Sequence, residues 1–223
     1  MKNLFFTAIT ILTTQITFAQ VEKNLGDYNS LKVYDRIPVE LIKSNTNKVV
    51  ITGELENEVE AVNKNGELKI KMNPLNLLNG AKVKVKVYYE NLYDIQASQG
   101  SQISSEEKIE SSLLKLSSNE GSSIKLDVDV NKLDAKINSG SEIILKGEAE
   151  NLTVNANAGG KFYSKTLKAK NATLTTNAGG AIEINVTDLV DAKTRAGGKI
   201  DIYGSPGNRN TKSVAGGSVN FIN

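Results

Sequence analysis

The sequence contains no cysteine, no histidine and no tryptophan. Without histidine, the Ser-His-Asp and Cys-His catalytic groups and His-ligated zinc sites are excluded. Without cysteine there are no disulfides, and without tryptophan the strongest aromatic platform for sugars or cations is missing. These absences predict a protein that is not an enzyme and that needs no metal or cofactor.

The net charge of the chain is also close to zero. The 27 Lys and Arg residues against 25 Asp and Glu leave a formal net charge of +2. Charges alternate with apolar residues, as in the stretch KVKVKV at 82–87, which is typical of a half-solvated strand. The whole-chain balance gives no drive toward nucleic acid or an anionic membrane, and no nucleic-acid partner is predicted.

The first residues have the pattern of an export signal. Lys2 precedes an uncharged, largely apolar stretch at 4–18, and Ala19 offers a small residue for cleavage before Gln20. Residues 1–19 are therefore predicted to be a signal peptide, with no membrane-spanning segment left after its removal. The expected location is the periplasm, the outer-membrane surface or the extracellular space.

A short glycine-marked phrase recurs along the second half of the chain. The marking glycines are separated by 21, 19, 19, 20, 18 and 19 residues. They are Gly100, Gly121, Gly140, Gly159, Gly179, Gly197 and Gly216. Repeats of this length are typical of solenoids.

Apolar residues occupy fixed positions relative to each mark. Three residues after it stand Ile103, Ile124, Ile143, Phe162, Ile182, Ile200 and Val219. Five before it stand Ile95, Leu116, Ala135, Val154, Leu174, Ala192 and, in the last copy, Thr211. This pattern predicts two strands around a corner, stacked in rungs about 4.8 Å apart. Glycine suits a corner of positive φ, and the small residue before it is expected to point inward.

Residues 20–98 form strands without the mark. Alternation predicts strands at 30–34, 39–42, 48–52 and 68–72, a helical turn within 54–62 and a hairpin at Asn65-Gly66. We predict an all-β, β-helix-like solenoid with rungs of about 20 residues over 99–223, continuous with an N-terminal β region at 20–98 that acts as its cap. The final strand at 219–222 is expected to leave an outer edge open to self-association.

The sequence resembles the head GIN domain family of auto-transporter adhesins of Gram-negative bacteria. The matching stretches are YNSLKV at 28–33, VVITG at 49–53, NGELKI at 65–70, VKVKVY at 83–88 and LYDIQASQGS at 92–101. The resemblance covers nearly all of the chain after residue 19. It implies a right-handed β-helix-like fold, export and an adhesive or surface role, and it brings no catalytic residues.

Two groups of side chains are candidates for a site. Tyr88, Tyr89 and Tyr93 form the densest aromatic cluster, which either packs the join between the two halves or offers a binding surface. The paired carboxylates of Glu106-Glu107 and of Glu148 with Glu150 suit sugar cleavage, but each pair lies in a different repeat.

The predicted function is that of an exported, non-catalytic surface or envelope protein. It would act as an adhesin, binding a glycan or protein of the envelope or extracellular space through a rigid solenoid face. One alternative is a polysaccharide-processing β-helix enzyme. The other is a structural envelope protein that self-associates through its terminal edge.

Overall fold

The structure is a computed structural model that describes residues 20–222, so the predicted export signal lies outside it. The described residues form sixteen strands. They are β1 (Gln20–Lys23), β2 (Ser30–Val33), β3 (Pro38–Lys43), β4 (Lys48–Gly53), β5 (Val59–Lys64), β6 (Glu67–Met72), β7 (Val83–Tyr89), β8 (Asp94–Ala97), β9 (Gln102–Ser118), β10 (Ser123–Ile137), β11 (Glu142–Asn157), β12 (Lys161–Asn177), β13 (Ala181–Arg195), β14 (Lys199–Tyr203), β15 (Asn208–Val214) and β16 (Ser218–Ile222). Short 3₁₀ turns at Glu56–Glu58 and Gly80–Lys82 are the helical elements of this part. No helix in residues 20–222 is long and apolar enough to cross a bilayer.

The predicted all-β solenoid of glycine-marked rungs is confirmed. Long strands β9 to β13 pair in parallel, and the final rungs continue through β14, β15 and β16. The apolar column after the mark forms one ladder, because each residue from Ile103 to Val219 pairs with its counterpart in the next rung. Alternation turns these side chains inward, and they form a continuous stacked core.

Each corner is a turn of two consecutive residues with positive φ. The marking glycine has φ near +70° to +80°, and the residue before it has φ near +47° to +56°. The prediction that this preceding residue points inward is wrong, since Ala158, Ala178 and Ala196 are solvent-exposed. In a turn with two left-handed residues the side chains project away from the core, and the residue after the glycine faces inward instead.

A chain of hydrogen bonds joins the corners along the solenoid axis. The amide of each marking glycine from Gly100 to Gly197 donates to the carbonyl of the residue before the next mark, at 3.0–3.2 Å. A ladder of side chains is formed by the asparagines that stand two residues before the mark, which are Asn119, Asn138, Asn157 and Asn177. Its amide-to-oxygen distances are 2.8–3.1 Å. Rung spacing is thus fixed by backbone and side-chain bonds together.

The N-terminal region contributes rungs as well as a cap. Strand β2 lies in parallel between β6 and β8, and β3 lies in parallel between β7 and β9. Residues 30–43 therefore make a rung of their own, whose corner uses Asp35 and Arg36 at φ +61° and +62° instead of glycine. The prediction of an N-terminal cap is confirmed, because β4 covers β7, β1 covers β4 and β5 covers β6, all in antiparallel pairing.

The opposite end of the solenoid is less covered. Within residues 20–222, β15 pairs only with β13 and β16 only with β14. All of β15 is exposed and β16 is largely half-buried, so the core thins toward this end. The outer edges of these two strands carry no strand from the described part of the chain.

Candidate binding cleft beside Tyr93

The three tyrosines of the sequence cluster have three different environments. Tyr88 and Tyr89 are consecutive in β7 and point to opposite faces of the strand. Tyr89 is buried, Tyr88 is half-buried, and Tyr93 is 42% exposed. Tyr89 and Tyr93 line one cleft, whereas Tyr88 does not reach it. The cluster therefore divides into a packing residue, a cleft floor and a cleft rim.

Tyr88 belongs to the packing between β4 and β7. Its ring lies under the Lys48 ammonium, with Nζ 4.9 Å from the ring centroid. Its carbonyl accepts a hydrogen bond from the Tyr28 hydroxyl at 2.5 Å. Burial raises the pKa of Tyr28 well above its usual range, so this hydroxyl stays a donor.

Tyr89 forms part of the floor of the cleft. Burial, and to a lesser extent the nearby Glu107 carboxylate, raises the pKa of Tyr89 to about 12. The hydroxyl is therefore neutral at physiological pH. Lys43, the register partner of Tyr89 in β3, places its Nζ 5.6 Å from the ring centroid. Leu92 and Ile109 are buried beside it, which makes the floor apolar.

Tyr93 stands at the rim, immediately before β8. Its amide donates to the Asn29 carbonyl at 3.0 Å, and its carbonyl accepts from the Lys115 amide at 2.7 Å. The backbone is thus held by the rungs on both sides while the ring remains exposed. A ring positioned in this way offers a flat apolar face at little entropic cost on binding.

The cleft has a volume of about 330 Å³ and a polar rim. Its polar lining residues are Lys43, Asn91, Lys108, Glu110 and Ser111. An apolar floor with a few converging charged and amide groups is the composition of a small-ligand site. Hydroxyl-rich ligands such as sugars suit such groups, because lysine, asparagine and glutamate bind hydroxyls while the tyrosine ring contacts C–H surfaces.

Three of the four paired carboxylates of the sequence line other clefts. Glu106 borders a cleft of about 530 Å³ at the bulges of β9 to β12. Glu148 and Glu150 border another, of about 440 Å³, beside Lys168 and Lys170. The two pairs are not brought together. Within residues 20–222 no group of three or more acidic side chains is arranged to hold a metal ion.

Most of the rim could not be found from the sequence. Lys43 reaches the cleft because β3 is inserted beside β7, and no local pattern predicts that insertion. Lys108, Ile109 and Glu110 were accessible in principle, since Ile109 is the inward residue of an alternating stretch. To place them in the cleft, the sequence would also have to show which rung the tyrosines face, and it does not.

The comparisons with known proteins agree with the fold. A family model described as "Putative auto-transporter adhesin, head GIN domain" matches residues 27–206, which confirms the resemblance. No curated protein sequence matches the chain.

Solved structures of Bacteroides and Parabacteroides proteins share this architecture. A "putative adhesin" from Bacteroides fragilis NCTC 9343 has a TM-score of 0.82 and 16% sequence identity, covering 93% of this chain and 98% of that chain. A "putative adhesin" from Parabacteroides distasonis ATCC 8503 has a TM-score of 0.75 and 18% identity, covering 92% and 97%. A "Putative lipid binding protein" from the same strain has a TM-score of 0.69 and 15% identity, covering 92% and 96%. At these identities the similarity concerns the fold.

Proposed function

Because the chain belongs to the head GIN domain family of auto-transporter adhesins, we propose that it is an exported, non-catalytic surface protein that binds a glycan. The observation that carries the proposal is the cleft beside Tyr93, with an apolar floor and a rim of lysine, amide and carboxylate groups. The cleft beside Tyr93 is lined by one carboxylate, Glu110, whereas sugar cleavage uses two, which supports a binding role over a hydrolytic one.

The solenoid supplies rigidity to this site. The Tyr93 backbone is bonded to Asn29 on one side and Lys115 on the other, so only the two side-chain torsions of its ring must be ordered when a ligand binds. A small cleft of this kind gives weak affinity for one sugar unit. Adhesion then depends on several copies of the protein engaging a repetitive glycan, which multiplies the effective affinity.

Replacement of Tyr93 by alanine is expected to weaken glycan binding by on the order of tenfold, because the exposed ring supplies the apolar contact face. A glycan array with the wild-type chain identifies the ligand, and isothermal titration calorimetry measures the loss. Tyr163→Ala is the matched control, since Tyr163 is a half-exposed tyrosine of β12 away from the cleft. Glycan binding that is unchanged in Tyr93→Ala, or an array without any bound glycan, contradicts the proposal.

The proposed location is tested by protease treatment of intact cells, followed by detection of residues 20–223. Digestion in intact cells is the expected result for a surface adhesin. Protection until the outer membrane is permeabilised would place the protein in the periplasm and would contradict adhesion to an external glycan. A periplasmic protein of known location serves as the control for membrane integrity.

A second candidate function is structural self-association through the solenoid end. The outer edges of β15 and β16 have no partner strand within residues 20–222, and an open edge of this kind can recruit a strand from another copy. End-to-end stacking would extend the solenoid without any change in its rung geometry. Sedimentation of the chain at several concentrations separates this candidate from adhesion by monomers.

A further inference from the structure

The loop between β6 and β7 presents leucines to solvent. Leu75 is 91% exposed, Leu77 is 56% exposed and Leu78 is 46% exposed. Three large aliphatic side chains on one short loop form an apolar tip, which we call the leucine loop (residues 73–79). Single exposed leucines are ordinary on protein surfaces, but a projecting group of three marks an interaction surface.

The leucine loop is held in place by its own polar residues. The Asn73 amide donates to the Glu58 carbonyl at 2.8 Å, and the side chains of Asn73 and Asn76 both donate to the Glu58 carboxylate. The Asn76 amide donates to the Asn73 side-chain oxygen at 3.0 Å. The asparagines are therefore engaged within the loop and beneath it, and the leucines are left as its outward residues.

The far side of the loop is also fixed. The Gly80 amide donates to the Asp35 carbonyl at 3.1 Å, and the buried Asp35 carboxylate accepts from the Met72 amide at 3.0 Å. Leu78 has φ +63°, a conformation that is unfavourable for a bulky side chain. A rigid scaffold that holds a strained, exposed leucine indicates a functional use of this tip.

Basic and aromatic groups lie beside the tip. Lys69, Lys71 and Tyr34 line a shallow concavity together with Leu77 and Leu78. The Lys69 ammonium lies 5.0 Å from the Tyr34 ring centroid, while Lys71 is paired with Glu60 at 2.8 Å. Within residues 20–222 no carboxylate lies within ion-pair distance of Lys69, so its charge remains free for an anionic group.

We propose that the leucine loop docks on a lipid bilayer, with the leucines entering the headgroup–acyl boundary and Lys69 facing anionic headgroups. A projecting apolar tip with a cation at its base has the composition of an interfacial membrane anchor. A second copy of the chain fits less well, because three leucines offer on the order of a few hundred Å², below the roughly 800 Å² per partner of a stable interface. This surface is distinct from the Tyr93 cleft and does not depend on glycan binding.

The test is co-sedimentation of the chain with phosphatidylcholine vesicles, prepared with and without phosphatidylglycerol. Wild type is expected to bind both, and more tightly when phosphatidylglycerol is present. The double variant Leu75→Ser/Leu77→Ser is expected to bind at least about tenfold more weakly, because it loses two apolar side chains that lipid would cover. Leu189→Ser, which changes a 42% exposed leucine on β13, is the matched control and is expected to bind like wild type. Lys69→Gln is expected to lower binding only to vesicles with phosphatidylglycerol.

Thermal unfolding monitored by circular dichroism is expected to be the same for all four proteins, because the substituted side chains are exposed. Two outcomes would overturn the proposal. In one, the wild-type chain binds neither kind of vesicle. In the other, the double variant binds as tightly as the wild type. Concentration-dependent association in sedimentation velocity that disappears in the double variant would assign the tip to a second copy instead.

Discussion

Replacing Phe162 by alanine is expected to lower the free energy of unfolding by about 3–5 kcal/mol. Phe162 is the largest fully buried side chain of the described residues. It stands in the ladder after the corner, between Ile143 and Ile182 of the neighbouring rungs. Alanine would leave a cavity in the middle of the stacked core, and the flanking rungs cannot collapse into it without breaking their parallel pairing.

Urea denaturation followed by far-ultraviolet circular dichroism measures the change. Tyr163→Ala is the control, since this adjacent residue points outward and is half-exposed. Its effect is expected to stay within about 1 kcal/mol. A Phe162→Ala chain as stable as the Tyr163→Ala chain would be incompatible with the stacked core described above.

Gly147→Ala is expected to destabilise the fold by about 2–5 kcal/mol, the sum of two separate penalties. The first is conformational, since Gly147 has φ +103°. The second is steric, because a Cβ at this position would lie 2.1 Å from the Val128 carbonyl oxygen of the preceding rung. Gly147 is the register partner of Val128 in β10, and on its other side it follows the bulge at which the register of β11 against β12 shifts.

Gly159→Ala separates the two penalties. Gly159 is a corner glycine with φ +73°, but a Cβ there would meet no atom within 4 Å. Only the conformational penalty of about 1–2 kcal/mol is expected. The same denaturation measurement applies to both variants. Equal destabilisation by the two substitutions would refute the steric part of the argument.

The repeat could be predicted because every rung places the same conformational and packing requirements on its residues. A corner with positive φ favours glycine, and an inward position in a narrow stack favours a β-branched or aromatic residue, so both recur at fixed spacing. The predicted ladder through Ile143 and Phe162 is present as expected. Asparagine also recurs two residues before the mark, but the recurrence alone does not show that the side chains bond to one another as a ladder.

The N-terminal rungs could not be recognised in the same way. The corner at Asp35 and Arg36 has positive φ at both residues without glycine, and Asp35 offsets the strain with a carboxylate that accepts a hydrogen bond from the Met72 amide. The insertion of β2 between β6 and β8 pairs segments that are far apart in sequence. Local periodicity contains no information about such long-range order.

The candidate site, too, could be predicted only in part from the sequence. The tyrosine cluster was found from its density, but its members separate into packing at Tyr88, floor at Tyr89 and rim at Tyr93 only when the rungs are assembled. The sequence does not single out the leucine loop, because its three leucines are interspersed with asparagines in the stretch NPLNLLN at 73–79. Exposure depends on how the loop is held, and here Asn73 and Asn76 bond inward to Glu58.

The corner hydrogen bonds have a mechanical consequence. They run parallel to the solenoid axis, from Gly100 to the carbonyl of Glu120 and onward rung by rung to Gly197. A tensile load along that axis is carried by the rungs in series, so every rung bears the full load and the weakest one detaches first. Each rung of about 19 residues that detaches lengthens the chain by roughly 60 Å. A load across the axis instead shears many rungs together. The scaffold is therefore expected to unfold rung by rung when it is pulled along its axis, and to resist a load across the axis with many rungs at once.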